Sequence, residues 1–176
     1  MIKTTFLNFK SDAWRLPGKH STINPLTAVR IDESASCAAL YKEVGRAWYW
    51  DIYRVGWSSA DWQDYLDHPD IDIYALQHEG QPIGYLELKE HDAAMEIVNF
   101  GLRPQCIGRG LGRLALEKAI ELGFSSGTAE LWLHTCSLDH PAALNNYLAR
   151  GFRIMRESTD NFLALDPTVR GAHALA

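Results

Sequence analysis

AMEIVNFGLRPQCIGRGLGRLALEKAIELGF, residues 94–124, joins an extended apolar run to an amphipathic run through a loop with glycine at 108, 110 and 112. Residues 94–102 are rich in β-formers and read as a strand. After the loop, Leu111, Leu114, Ala115 and Leu122 fall on one helical stripe, with Glu117, Lys118 and Glu121 largely off it. A strand that enters a helix through alternating glycines lets a ligand approach the backbone, and the first N–H groups of the helix attract an anion. The loop is therefore read as a phosphate cradle.

Spacing excludes two common cradles. A Walker A loop ends in Gly-Lys-Ser/Thr, whereas Gly112 is followed by Arg113 and Leu114. The dinucleotide fingerprint G-x-G-x-x-G needs glycine at 113 if it starts at Gly108, or at 115 if it starts at Gly110, and both places hold other residues.

Working outward, residues 72–77, 82–89 and 94–102 read as three strands with short connections, which implies an antiparallel meander. Upstream, residues 26–31 read as a short strand and 34–57 as mostly helical. Ser58 with Asp61 forms a capping box ahead of Trp62, Tyr65 and Leu66. The first 25 residues, with Pro17, Gly18 and Pro25, read as irregular. Downstream, residues 130–135 read as a strand, and Asp139 and Pro141 as the N-cap and first position of a helix that Gly151 ends. Residues 152–156 and 161–165 are expected to close the domain as a hairpin, and 166–176 to form a tail. The order implies one α+β domain over residues 1–176, with a mixed, mostly antiparallel sheet flanked by helices.

Composition narrows the function. The 176-residue chain is 47% hydrophobic and carries a formal charge of −5, with no dense Lys/Arg stripe, so nucleic acid is not expected as a partner. No apolar run reaches membrane-spanning length, and the N-terminus lacks a signal-like apolar region, so no membrane partner and a cytoplasmic location are expected. Cys37, Cys106 and Cys136 are odd in number and widely spaced, which suits a reducing compartment. His134 and Cys136 could begin a metal site, but no second pair follows at ligand spacing, and no metal is expected.

Gln105-Cys106-Ile107-Gly108-Arg109-Gly110 fits the pattern Q/R-x-x-G-x-G/A, and Ala143-Leu-Asn-Asn-Tyr147-Leu-Ala-Arg-Gly151-Phe152 fits A-x-x-x-Y-x-x-x-G-F. With these two segments the chain resembles the GNAT superfamily, the GCN5-related N-acetyltransferases, closely over residues 70–158 and in outline before them. The resemblance implies the acyl-CoA N-acyltransferase fold, acetyl-CoA as acyl donor and direct transfer to a primary amine in a ternary complex. It implies coenzyme contacts at Leu102, Gln105, Ile107, Gly108, Arg109, Gly110, Leu111, Gly112 and Arg113, with the backbone near Leu102 taking the pantetheine arm. Glu96 takes the place of the general base and Tyr147 that of the general acid toward sulfur. Glu87 is the second candidate base. His140 stands where the family often has asparagine, a departure at a coenzyme contact.

The chemistry needs such groups. An alkylammonium with a pKa of ~10.4 leaves only about one molecule in a thousand neutral near pH 7.4, so a base helps. Glu96 alternates with Val98, Phe100 and Leu102, which puts it on a face where an apolar side chain is expected. The acceptor is expected to be a small-molecule amine; a protein N-terminus and a non-catalytic acyl-CoA-binding module are the alternatives. Trp48, Tyr49, Trp50, Tyr53, Trp57, Trp62 and Tyr65 crowd the early helices, and one or two of them are expected to line the acceptor site, the rest being core. A homodimer is also expected from the exposed strand edge of many relatives.

Overall fold

A computed structural model of the chain describes residues 1–14 and 25–160. Seven strands form one sheet: β1 (Ile2–Lys10), β2 (Leu26–Arg30), β3 (Ile71–His78), β4 (Gln81–His91), β5 (Ala94–Leu102), β6 (Glu130–Cys136) and β7 (Arg153–Asp160). Their spatial order is β2-β3-β4-β5-β6-β1-β7, and every neighbouring pair is antiparallel except β5 and β6. Four helices flank it: α1 (Ser34–Gly45), α2 (Ser59–Leu66), α3 (Leu111–Ser125) and α4 (Ala143–Ala149). This is the expected α+β, mostly antiparallel architecture.

The sheet is covered on both faces, and β4 records it: residues 83–88 are all buried, so alternation disappears. Leu86 and Leu88 pack in one core with Leu131, Leu133 and the α3 residues Ala115, Leu116 and Ile120. Tyr85, which precedes Leu86 and points to the other face, belongs to a second core with Ile73, Tyr41, Val44 and Trp62. The buried side of α3 is wider than the expected stripe: Leu116, Ala119 and Ile120 are enclosed, while Leu114 and Leu122 are only partly so.

Local signals hold where one side chain decides the geometry. Ser58 and Asp61 make the reciprocal capping box at α2, and the Glu33 carboxylate accepts from the N–H groups of Ala35 and Ser36 at α1. Three expectations change. The irregular stretch expected over residues 1–25 is a strand over Ile2–Lys10, paired with β6 on one side and β7 on the other. Its signal was the alternation of buried Thr5, Leu7 and Phe9; Pro17 and Gly18 lie outside the described residues. The first strand of the expected closing hairpin is longer than expected: β7 continues to Asp160 along β1, through the residues between the two expected strands, and its exposed positions left no apolar alternation to read. Residues 161–165 and the expected tail lie outside the described residues. Finally, Asp139 does not cap α4. Its Oδ2 accepts from the Thr135 hydroxyl (2.6 Å) and the Cys136 N–H (2.8 Å), and the helix begins at Ala143.

Candidate active site

The site is a consequence of strand splay. β5 and β6 pair only at Met95 with Leu131 and Glu96 with Trp132, and beyond that point they part. A strand hydrogen-bonded on one side alone leaves backbone donors and acceptors on the other. The gap is a cavity of about 750 Å³, walled on one side by residues 97–102 of β5 and on the other by His134 and Cys136 of β6. The glycine loop, α4 and the segment carrying Trp48, Tyr49, Trp50 and Tyr53 supply further parts of its wall.

At the loop, Gly108 and Gly110 both take φ +77°, a left-handed conformation that L side chains avoid. A Cβ at either would meet no protein atom within 4 Å, so the space beside them is open. Gly110 precedes α3 without any side-chain cap, and Gly108, Gly110, Gly112 and Arg113 all line the cavity. An uncapped helix start facing a cavity suits an anion. Asn146 of α4 donates to the Gly112 carbonyl (3.1 Å) and ties the loop to the next helix.

The expected coenzyme contacts divide. Leu102, Ile107, Gly108, Gly110, Gly112 and Arg113 are on the cavity wall. Leu111 is buried in the core beneath it. Gln105 turns away, donating to Glu43 of α1 (3.4 Å), which also accepts from Arg103 Nε (2.8 Å). Arg109 is exposed beside the loop and is not on the wall. His140 lines the cavity, packs edge-on against Trp48, and its Nδ1 accepts the Ala142 N–H (3.0 Å) in the turn ahead of α4.

Tyr147 projects from α4 onto the cavity wall, with its ring against Phe100 and Phe152. Burial, and then the charge of Asp139, push its phenol above the ordinary tyrosine range. A phenol held protonated in this way can donate.

The two glutamates are elsewhere. Glu96 sits at the root of the splay, where β5 and β6 are still paired, and its Oε2 lies 2.9 Å from His91 Nε2. It does not line the cavity. The expected alternation with Phe100 and Leu102 fails because of a bulge: Glu87 pairs with Asn99 and Leu88 with Ile97, leaving Val98 as an extra residue. Phe100 therefore faces the α3 core beside Leu86, and Glu96 shares its face with Lys89 and Trp132.

Glu87 is fully enclosed. It takes two hydrogen bonds from Arg54 (2.9 and 2.7 Å) and others from the Tyr65 hydroxyl, the Tyr85 hydroxyl (2.9 Å) and Asn99 Nδ2 (3.2 Å). Burial alone would raise its pKa, but the Arg54 guanidinium and these donors hold the carboxyl below the usual carboxylate range. Arg54 in turn lies within 5.3 Å of the ring centres of Tyr41, Trp57, Trp62 and Tyr65. The early aromatics thus split in two: Trp57, Trp62 and Tyr65 enclose Arg54, whereas four others, Trp48, Tyr49, Trp50 and Tyr53, line the cavity, more than expected. Sequence reasoning missed Arg54, Asn99 and Asn146; an arginine and two amides carry no periodic signal. Among the described residues no group of His, Cys, Asp and Glu gathers as a metal site, and no helix is long and apolar enough to cross a membrane.

Comparison with known proteins agrees with this geometry. The model of the acetyltransferase (GNAT) family matches residues 43–152. A GCN5-related N-acetyltransferase from Sphaerobacter thermophilus superposes with a TM-score of 0.62 at 18% identity, over 89% of this chain and 49% of that one. One from Kribbella flavida gives 0.60 at 16% identity, over 92% and 60%. The PaiA N-acetyltransferase from Thermoplasma acidophilum, solved in complex with coenzyme A, gives 0.58 at 17% identity, over 77% and 93%. The chain spans 49% and 60% of the Sphaerobacter and Kribbella chains and 62% of a similar structure from Novosphingobium aromaticivorans, less than two thirds of each. No curated protein matches it in sequence.

Proposed function

Because the chain belongs to the GNAT acetyltransferase family, we propose that it moves an acetyl group from acetyl-CoA to a primary amine of a small molecule, by direct transfer in a ternary complex. The observation that carries this reading is one continuous cavity, running from the uncapped start of α3 along the splayed β5 to Tyr147.

In this reading the backbone at Gly108, Gly110 and Gly112, helped by Arg113, binds the pyrophosphate of the coenzyme. The unpaired edge of β5 near Leu102 receives the pantetheine arm. The acceptor amine attacks the thioester carbon, the carbon–sulfur bond breaks, and Tyr147 gives its proton to the departing thiolate. The amine must shed a proton. Glu87 is sealed from the cavity and held ionised by Arg54, which suits structure better than base catalysis. Glu96 is the base here only through water reaching from the cavity to its carboxylate.

The test is calorimetric titration of acetyl-CoA into wild type and Gly110→Val. Valine at φ +77° is strained and fills the open space beside the loop. Micromolar binding by the wild type, weakened more than about tenfold in the variant, is the expected result. Equal affinity, or no binding by either, removes the loop assignment and the transferase reading with it.

A further inference from the structure

Resting on the acetyltransferase reading, we infer that Asn99 selects the acceptor, that Glu87 positions it, and that the substrate class is an aryl- or alkylamine without a carboxylate. The starting point is the Val98 bulge, which sets Asn99 opposite Glu87 while leaving it on the wall of the cavity. Glu87 is ionised and therefore only accepts hydrogen bonds. It has one N–H of Asn99 at 3.2 Å, so the amide cannot turn over without placing its carbonyl against a carboxylate. With one N–H of Nδ2 committed in this way, the carbonyl oxygen Oδ1 is the acceptor that Asn99 has left to offer an occupant of the cavity it lines. That atom accepts from an amine.

The same carboxylate fixes a second feature of this end of the cavity. Its bidentate partner Arg54 immediately follows Tyr53, and Trp50, three residues earlier in the same segment, is wedged against Gly45 and Gly101. A Cβ on Gly45 would fall 2.4 Å from Trp50, and one on Gly101 would fall 3.2 Å from it. Two anchors therefore hold the segment whose Tyr49 and Tyr53 face the cavity. Glu87 touches neither ligand, yet it orients both the polar and the aromatic part of the acceptor wall.

Charge completes the class. Asp139 and Asp160 line the cavity, and Arg113, at the glycine loop, is the one arginine or lysine among the described lining residues. Among the described lining residues, an acceptor carrying its own carboxylate would meet two acidic side chains and no lysine or arginine away from the phosphate end. An uncarboxylated amine with a flat or aliphatic body meets Asn99, the aromatic wall and a favourable field.

The probes are 2-phenylethylamine and phenylalanine, which share the aryl body and the amine and differ by the carboxylate. Each is titrated into protein saturated with coenzyme A, so that no turnover intervenes. Wild type is expected to bind 2-phenylethylamine at least about tenfold more tightly than phenylalanine. Asn99→Ala is expected to weaken the amine about tenfold and leave acetyl-CoA affinity unchanged. Glu87→Gln, whose side chain can also donate and so frees the Asn99 amide to invert, is expected to raise the KM of the amine with that of acetyl-CoA unaltered. Should that variant fail to fold, Asn99→Ala alone decides the point. Equal amine affinity in wild type and Asn99→Ala, preference for phenylalanine, or no binding of 2-phenylethylamine by a wild type that holds coenzyme A overturns the inference. A wild type that binds no acetyl-CoA strikes the transferase reading instead.

Discussion

The two ends of the cavity are built from different materials. At the α3 end a ligand meets main chain: two glycines at φ +77°, an uncapped helix start and one arginine. At the other end it meets side chains, the rings of Trp48, Tyr49, Trp50 and Tyr53 and the amide of Asn99. Main-chain recognition depends on local φ and spacing and suits a ligand part that never varies. Side-chain recognition depends on distant residues being brought together and can be exchanged without disturbing the rest. Here the exchange is restrained by the Arg54–Glu87 pair, which joins the aromatic segment to β4.

Changes between the two ends test that division hardest. Tyr147→Phe keeps the ring against Phe100 and Phe152 and removes only the proton donor. Turnover is expected to fall on the order of 10²-fold, with acetyl-CoA and amine affinities within about twofold of wild type. Because burial and Asp139 push the phenol up, it stays protonated as pH rises through neutrality. If its deprotonation sets the falling limb of the rate profile, that limb lies above the ordinary tyrosine value of about 10. A full-rate variant, or a limb near neutrality, removes the acid role.

A smaller effect belongs to the root of the splay. Glu96→Gln keeps the size of the side chain beside His91 and removes its ability to take a proton. Turnover is expected to drop about tenfold, and the rising limb of the profile to move toward the deprotonation of the amine itself. Coenzyme and amine binding stay as they were. An unaltered profile means that the amine loses its proton to solvent, and the Glu96–His91 pair at the root is structural.

Legibility follows the same division. Loop, helix start and capping box were readable because each is settled within a few residues: alternating glycines before an apolar stripe, or Ser58 three residues from Asp61. β1 had an alternation at Thr5, Leu7 and Phe9 that Pro17, Gly18 and Pro25 outweighed. The bulge was not readable, since one extra residue at Val98 depends on its pairing with β4, and it reversed the face inferred for Phe100. Arg54 was invisible for a related reason: an isolated arginine in sequence is expected at the surface, and only the folded chain supplies Glu87 and four rings to receive it.

Tyr49 offers the finest test of whether the aromatic end exists for binding or for packing. It holds φ 62° without being glycine, and it is 47% exposed while lining the cavity. A bulky residue in that conformation costs about 1–2 kcal/mol, and such strain collects where function requires it. Asparagine tolerates the same backbone, so Tyr49→Asn recovers part of that cost while losing the burial of about half a ring, worth roughly 1 kcal/mol. The two nearly cancel. Tm is therefore expected to stay within about 2–4 °C of wild type, while the affinity for 2-phenylethylamine weakens about threefold and that for acetyl-CoA does not change. A Tm that falls well below this range, with amine affinity intact, would mean that the tyrosine braces the segment and that the acceptor is read by Asn99 and Tyr53 instead.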